Sequence, residues 1–387
     1  MTARGRALGI LLGLAVLVAG WVGFVVRWSG PAGAGPGGRG FGVAGARTTG
    51  LGAFRGQLLI WAPGGLSDRE VGLVRDSTRV AAISAVRTGL LPVASSRRRG
   101  YRVVPVEAMA VDPDAYADAA GRPGAKLVGM LDKGVVLSKT GAALRHLQRG
   151  GRLRLDGGRW LRVSGVVDDE LLAGYEVALD REDGRRYGLR RADYLLVLPR
   201  GPLSGLEAAV RGLLKGRQVR FAVAGDRRFL RGDGSALPLG LVKARFGEFA
   251  LPSLRHGGPD PNWKRRSLVT RQVPLLGRVT CHRLVVEDLT AAMADLQRRK
   301  LGQLVDAAEF QRRGGCWSQR LLRDRDGRLT RHAWGIAVAV GLAVNPAERS
   351  PAVDQRLVKA MAGHGFSWGG RLDRPADAQF EWVGAGA

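Results

Sequence analysis

The chain has 387 residues, 45% of them hydrophobic, and a formal charge of +27, a length that supports two globular domains after a short leader. Such a charge invites a nucleic-acid reading, but only 8 of the 61 basic residues are Lys, and the positive charges are scattered in short runs such as Arg97–Arg99, Arg185–Arg186 and Lys264–Arg266. No recognition helix or aromatic-interleaved motif accompanies them, so nucleic acid is set aside as a partner. A basic exterior suits long-range attraction to anionic wall polymers or lipid head groups, with a solvated Arg-rich surface as the plain alternative.

Arg4 and Arg6 precede an uncharged run from Ala7 to Val26, closed by Arg27. Twenty apolar residues span a bilayer as a helix, so residues 1–28 are expected to form a single-pass membrane anchor. A cleaved signal peptide is the alternative, its apolar core being shorter as a rule. On either reading the bulk of the chain lies outside the cytoplasm. Residues 29–54 are rich in Gly, Ala and Pro and read as a flexible linker.

The globular part starts near residue 55. A strand is expected at Gly56–Trp61, and a helix at Ser67–Thr88 with Ser67 as N-cap and Glu70 completing a capping box. Tyr101–Val106 and Val135–Leu137 read as strands, and a short helix is expected over Ala142–Leu147. Leu153–Leu155 and Trp160–Val167 flank Asp156-Gly157-Gly158, a strong hairpin signal. Tyr194–Leu198 reads as a buried strand ending a small α+β domain over 55–200. Residues 201–261 are expected to connect, with a helix at Pro202–Leu214, a strand at Gln218–Ala224 and an irregular arm over Phe246–Trp263. In the last domain, 262–387, helices are expected at Thr290–Lys300, Ala307–Arg313 and Asp354–Gly363. A strand is expected at Ile336–Val344, and Asn345-Pro346 marks a turn.

Cys281 and Cys316 are the only cysteines. In an exported chain they read as one disulfide, worth roughly 3–4 kcal/mol by loop entropy; a metal pair is the less favoured alternative, since no C-x-x-C spacing surrounds them. No G-x-S-x-G with a plausible triad, no Walker A loop and no G-x-G-x-x-G after a strand is present. His146, His256, His282 and His364 lack ligand spacing and are expected at the surface.

The motifs of the last domain occur in a telling order: Thr330-Arg331-His332-Ala333-Trp334-Gly335, then Gly365-Phe366-Ser367-Trp368-Gly369-Gly370, then Gln379-Phe380-Glu381-Trp382. With "VPLLGRVTCHR", "KLGQLVDAAEF" and "GGCWSQR" upstream, this order resembles peptidase family M15, the VanY-like D-alanyl-D-alanine carboxypeptidases and L,D-endopeptidases, in its actinobacterial form. The resemblance implies an α+β peptidase domain with a small antiparallel sheet, acting on peptidoglycan with one zinc ion. In that family the ligands are the His of S-x-H, an Asp seven residues later and the His of H-F-E; a carboxylate three residues before the last His is the base. Carried over position by position, His332 stands at the first ligand, Ala339 at the second, Gln379 at the third and Ala376 at the base, so no catalytic set is intact. Asp377 lies one position from the base, but a one-residue shift on a strand turns its side chain to the opposite face.

Losing a partner behind the ligands alone costs about 10–100-fold in metal affinity, so losing two of three ligands implies no tight zinc and no cofactor. A lone His332 then reads as a hydrogen-bonded structural residue. Arg320 matches the family's substrate arginine and suits a peptide carboxylate, a structural salt bridge being the alternative. Arg320, His332 and Gln379 are the expected substrate-binding residues of a pseudoenzyme that holds peptidoglycan stem peptides or another cell-envelope protein. An active enzyme with a relocated zinc site is the alternative. Trp334, Trp368 and Trp382 are expected to pack the core, and Glu381 to serve as a structural acceptor. The wording "GVVLSKTGAALRHLQRGGRLRL…WLRVSGVVDD" resembles, more loosely, the extracytoplasmic domain of MacB/FtsX-type permeases over roughly Gly56 to Arg200.

Overall fold

The computed structural model describes residues 56–98, 100–225, 229, 231, 234–312, 314–319, 328–340, 353–372 and 378–384. The expected anchor and linker lie outside these residues, as do Arg320, Ala376, Asp377 and the Asn345-Pro346 turn. No described helix is long and apolar enough to cross a membrane.

β1 (Leu58–Trp61) is apolar and buried throughout. Leu59 and Trp61 face one core cluster while Leu58 and Ile60 face another, the pattern of a strand covered on both sides. Ser67 and Glu70 form the expected capping box at α1 (Asp68–Arg75). The helix stops at Arg75, however, and β2 (Val80–Arg98) replaces the rest of the expected Ser67–Thr88 helix. Val71, Val74, Val80 and Ile83 recur at multiples of three, which imitates a helical face. Two partners override that pattern: the first half of β2 pairs with β8 (Ala192–Pro199), and from Arg87 onward the strand pairs antiparallel with β3 (Tyr101–Val111).

After β3 come α2 (Pro113–Ala120) and α3 (Arg122–Leu131), then β4 (Val135–Ser138) and α4 (Lys139–Arg145). β5 (Arg152–Arg154) and β6 (Trp160–Val167) form the expected hairpin, with Gly157 and Gly158 at φ 93° and 88° in its turn, a region open to Gly at no steric cost. β7 (Val177–Asp180) and α5 (Arg181–Arg186) precede β8. The described strands build a nine-stranded mixed sheet in the order β5-β6-β4-β7-β3-β2-β8-β1-β9, where β9 is Arg220–Val223. Residues 201–225, expected as part of a connection, thus complete the sheet: β9 is its edge, and α6 (Leu203–Leu213) packs Leu206 and Val210 with Leu58 and Ile60.

The second half of the connecting segment belongs to the other core. α7 (Leu239–Phe246) sends Val242 and Phe246, with Phe249 and Leu251, into the cluster that holds Trp263, Trp334, Phe380 and Trp382. The same stretch grips the sheet. Leu251 exchanges two backbone hydrogen bonds with Val103 of β3, at 3.1 and 2.7 Å, and Lys243 Nζ donates to the Pro105 carbonyl and to Glu176, the latter at 2.7 Å. Arg145 bridges Glu176 at 2.7 Å and Glu248 at 3.0 Å, so two cations and two carboxylates are buried together. Burial pushes the Glu176 carboxyl up, but Lys243 and Arg145 outweigh it and hold the pKa below its ordinary value.

The C-terminal lobe continues with α8 (Pro261–Ser267), the hairpin of β10 (Leu268–Val273) and β11 (Gly277–His282), α9 (Val286–Arg298) and α10 (Ala307–Arg312). β12 (Ala337–Ala339), α11 (Gln355–Gly363), β13 (Phe366–Trp368) and β14 (Gln379–Trp382) follow, the three strands making a small antiparallel sheet in the order β12-β14-β13. Cys281 and Cys316 are joined as a disulfide across 35 positions. His282 corrects an expectation: it is buried, not on the surface. Its Nε2 faces the Phe246 carbonyl at 3.2 Å, and its Nδ1 accepts from the Leu284 N–H at 3.2 Å. The helix α7 that covers it has no forewarning in the local pattern.

Candidate functional site

The motif around His332 is a single 3-10 turn, Arg331–Trp334, ended by Gly335 at φ 66°. A Cβ on Gly335 would lie 2.8 Å from the His282 backbone nitrogen. Only Gly therefore lets this turn close on β11, where the His282 N–H donates to the Gly335 carbonyl at 2.9 Å. β12 and β14 then run antiparallel with Ala339 opposite Gln379 and Ala337 opposite Glu381. The second and third ligand positions of the resemblance are therefore direct cross-strand partners, close enough for their side chains to meet.

The residues standing there do not fit a zinc ion. Ala339 carries no donor atom. The Gln379 amide donates to Glu381 at 2.8 Å, and Glu381 also accepts from Ser235 Oγ at 2.6 Å and the Ala236 N–H at 2.7 Å. Glu381 is thereby a structural acceptor, as expected. His332 is 6% exposed, with Nδ1 3.1 Å from the Cys316 carbonyl. Burial drives its pKa down to about 4, so the ring is neutral at pH 7. Among the described residues no three His, Cys, Asp or Glu side chains gather as a metal set.

Of the expected binding residues, Gln379 lines a cavity of about 710 Å³ that lies between β14 and the nine-stranded sheet; His332 does not. Arg320 lies outside the described residues. The cavity instead brings together residues that motif reading passed over. Arg231 reaches Glu107 with two nitrogens, at 2.9 and 3.1 Å, and lies 4.3 Å over the Tyr175 ring. Burial pushes the Glu107 carboxyl up, but Arg231 outweighs it and holds the pKa low; the same pairing raises Arg231 against its own burial. Asp193 accepts from the Thr88 N–H at 2.9 Å and from Arg328. Arg331, one position before His332, also lines the cavity and is 5% exposed. A charged residue inside a buried motif turn is the one signal that could have flagged it. Arg231 sits in a stretch without pattern and gave none.

One comparison meets the sequence reading, at the C-terminal end of the chain. The family model described as D-alanyl-D-alanine carboxypeptidase matches residues 323–381, the segment that carries the His332 turn, β12 and β14. No curated protein matches the chain. Among solved structures, the periplasmic region of MacB from Actinobacillus actinomycetemcomitans is 12% identical, covering 44% of this chain and 90% of its own, with a TM-score of 0.34. The extracellular domain of the noncanonic ABC-type transporter YknZ from Gram-positive bacteria is also 12% identical, covering 41% and 92%, with a TM-score of 0.30.

Proposed function

We propose that this chain, whose C-terminal segment matches the D-alanyl-D-alanine carboxypeptidase family, is a membrane-anchored cell-wall protein in which that lobe binds without hydrolysing. Its ligand would be a peptidoglycan stem peptide or another envelope protein, held at the face bordered by Gln379. The observation that carries this reading is the β12–β14 register. It sets Ala339 against Gln379, so the two positions that should complete a zinc site with His332 offer a methyl group and an amide already bonded to Glu381. Catalysis by a zinc hydrolase needs three protein ligands and an open position for water, and a neutral carboxamide is a poor zinc ligand beside imidazole.

The apolar run Ala7–Val26 would hold the protein at the membrane, placing the described lobes on the outer side. Zinc analysis of the purified chain, together with incubation of a peptide ending in D-Ala-D-Ala, tests the reading. We expect substoichiometric zinc and an uncut peptide. Stoichiometric zinc with release of D-Ala would replace it with an active enzyme holding its metal elsewhere. Retention on isolated cell walls, compared with the Gln379→Ala variant, tests whether the β14 face is the binding surface.

A further inference from the structure

β5 and β6 stand at one end of the nine-stranded sheet, which curls until they meet β2. Leu155 bridges Val93, and the Asp156 N–H donates to the Pro92 carbonyl at 2.7 Å. Leu153, Leu155, Leu161 and Val163 point inward, to a core shared with Leu91, Val93 and Val106. Strand alternation then sends Arg152, Arg154, Trp160 and Arg162 to the convex outer face, where all four are exposed.

Nothing within the fold accounts for that set of side chains. The register puts Arg152 opposite Arg162 and Arg154 opposite Trp160. Like charges directly opposite one another on a sheet face destabilise it. None of the three arginines forms an ion pair among the described residues, and the carboxylate of the adjoining turn, Asp156, faces Arg102 at 3.8 Å instead. Trp160 is 54% exposed, more than any other large apolar side chain described. The Arg154 guanidinium lies 5.7 Å from its ring centroid, and a cation over an exposed ring stabilises only weakly.

We infer that the outer face of the β5–β6 hairpin docks on a bilayer surface that contains anionic lipid. Trp160 sits at the level of the headgroups, and Arg152, Arg154 and Arg162 lie against the lipid phosphates. Tryptophan suits that boundary because its ring is apolar and its N–H polar, and clustered arginines are drawn to anionic headgroups. The shape favours this partner over a linear polymer or a small ligand, which a groove would hold. The face is convex, none of the four side chains lines the cavity beside β14, and Gly157 and Gly158 at the exposed tip let the ribbon lie against a plane. The contact requires neither the Ala7–Val26 anchor nor any state of the positions around His332, so it goes beyond the proposed function and does not rest on it.

The full chain is mixed with vesicles of phosphatidylcholine alone, or of phosphatidylcholine with about one-third phosphatidylglycerol, whose anionic headgroups supply the attraction. Both sets carry brominated acyl chains, which quench a tryptophan at the boundary, and subtracting the signal of the Trp160→Phe variant isolates this ring from the rest of the nine tryptophans. We expect Trp160 to be quenched on the anionic vesicles and not on the neutral ones, and to be released at about 1 M salt, where charges are screened beyond about 3 Å. The triple variant Arg152→Ser, Arg154→Ser, Arg162→Ser should weaken the contact about a hundredfold without lowering the melting temperature. If it does not fold, Arg152→Ser alone, with an expected loss of about fivefold, and the salt arm decide. Equal quenching on the two kinds of vesicle, or undiminished quenching in the folded triple variant, overturns the inference. Binding of soluble polyphosphate through the same arginines, with no quenching on vesicles, also overturns it and assigns a polymer instead. Flotation with the neutral vesicles reports on the Ala7–Val26 anchor by itself, so that reading and this one fail separately.

Discussion

Taking the protein from about pH 7 to about pH 5 should cost it about 4 kcal/mol of stability through two buried imidazoles. Burial holds both His282 and His332 near a pKa of about 4, against an ordinary value of 6.5. In His282 the neutral ring is fully matched, Nε2 donating to Phe246 and Nδ1 accepting from Leu284, so an added proton would put two donors face to face. The unfolded chain takes up protons on both rings as the pH falls below about 6.5, while the folded chain refuses them until about 4. Stability is therefore level above that window and declines on acidification through it, by about 2 kcal/mol per histidine at about pH 5. The carboxylates held low, such as Glu107 and Glu176, lose their contribution only on further acidification. Urea unfolding at a series of pH values, on the parent and on His332→Asn, measures the effect. The amide still offers the Cys316 carbonyl a donor, and it does not titrate, so this variant should lose about half of the slope. A parent stability that stays flat from about pH 7 to 5, or a variant with an unchanged slope, would refute the assignment of buried neutral rings.

Three further outcomes are expected. The double substitution Ala339→Asp with Gln379→His places two donors on facing β12 and β14 positions beside His332, and zinc affinity by competition with a chelating dye should rise at least ~100-fold; no gain would mean that the His332 ring does not face that pair. Lys243→Met leaves the buried Glu176 and Glu248 sharing Arg145 as their one cation and should destabilise by about 3–5 kcal/mol in chemical unfolding, and adding Glu176→Gln should recover part of the loss. Reduction of the Cys281–Cys316 bond reopens a 35-residue separation and should lower stability by about 4 kcal/mol on loop entropy; an equal melting temperature with and without reductant would contradict that.

Local chemistry was readable and distant chemistry was not. The Ser67–Glu70 box, the Asp156-Gly157-Gly158 turn and the short α11 ending at Gly363 depend on residues within a few positions of one another, so the sequence alone locates them. The run from Val80 to Arg98 could not be placed in that way, because its conformation is set by β8, roughly a hundred positions away. The positions 332, 339 and 379 that the resemblance singles out come from motif spacing, and the β12–β14 ladder sets the last two opposite each other. The cavity was not. Glu107, Arg231 and Arg331 come from three separated stretches, and only folding brings them to one cavity.

The belt from Leu239 to Leu251 bears on whether the two halves can be separated. Its aromatic residues fill one lobe while Lys243 and Leu251 fasten to the other. A cut near residue 261 would open an empty socket on the C-terminal fragment and leave Phe246 and Phe249 without their packing partners on the other. By this packing the C-terminal lobe is not a cassette that can be moved by itself. Any transplant must carry the belt and a matching edge of β3, so the two halves are one unit for design.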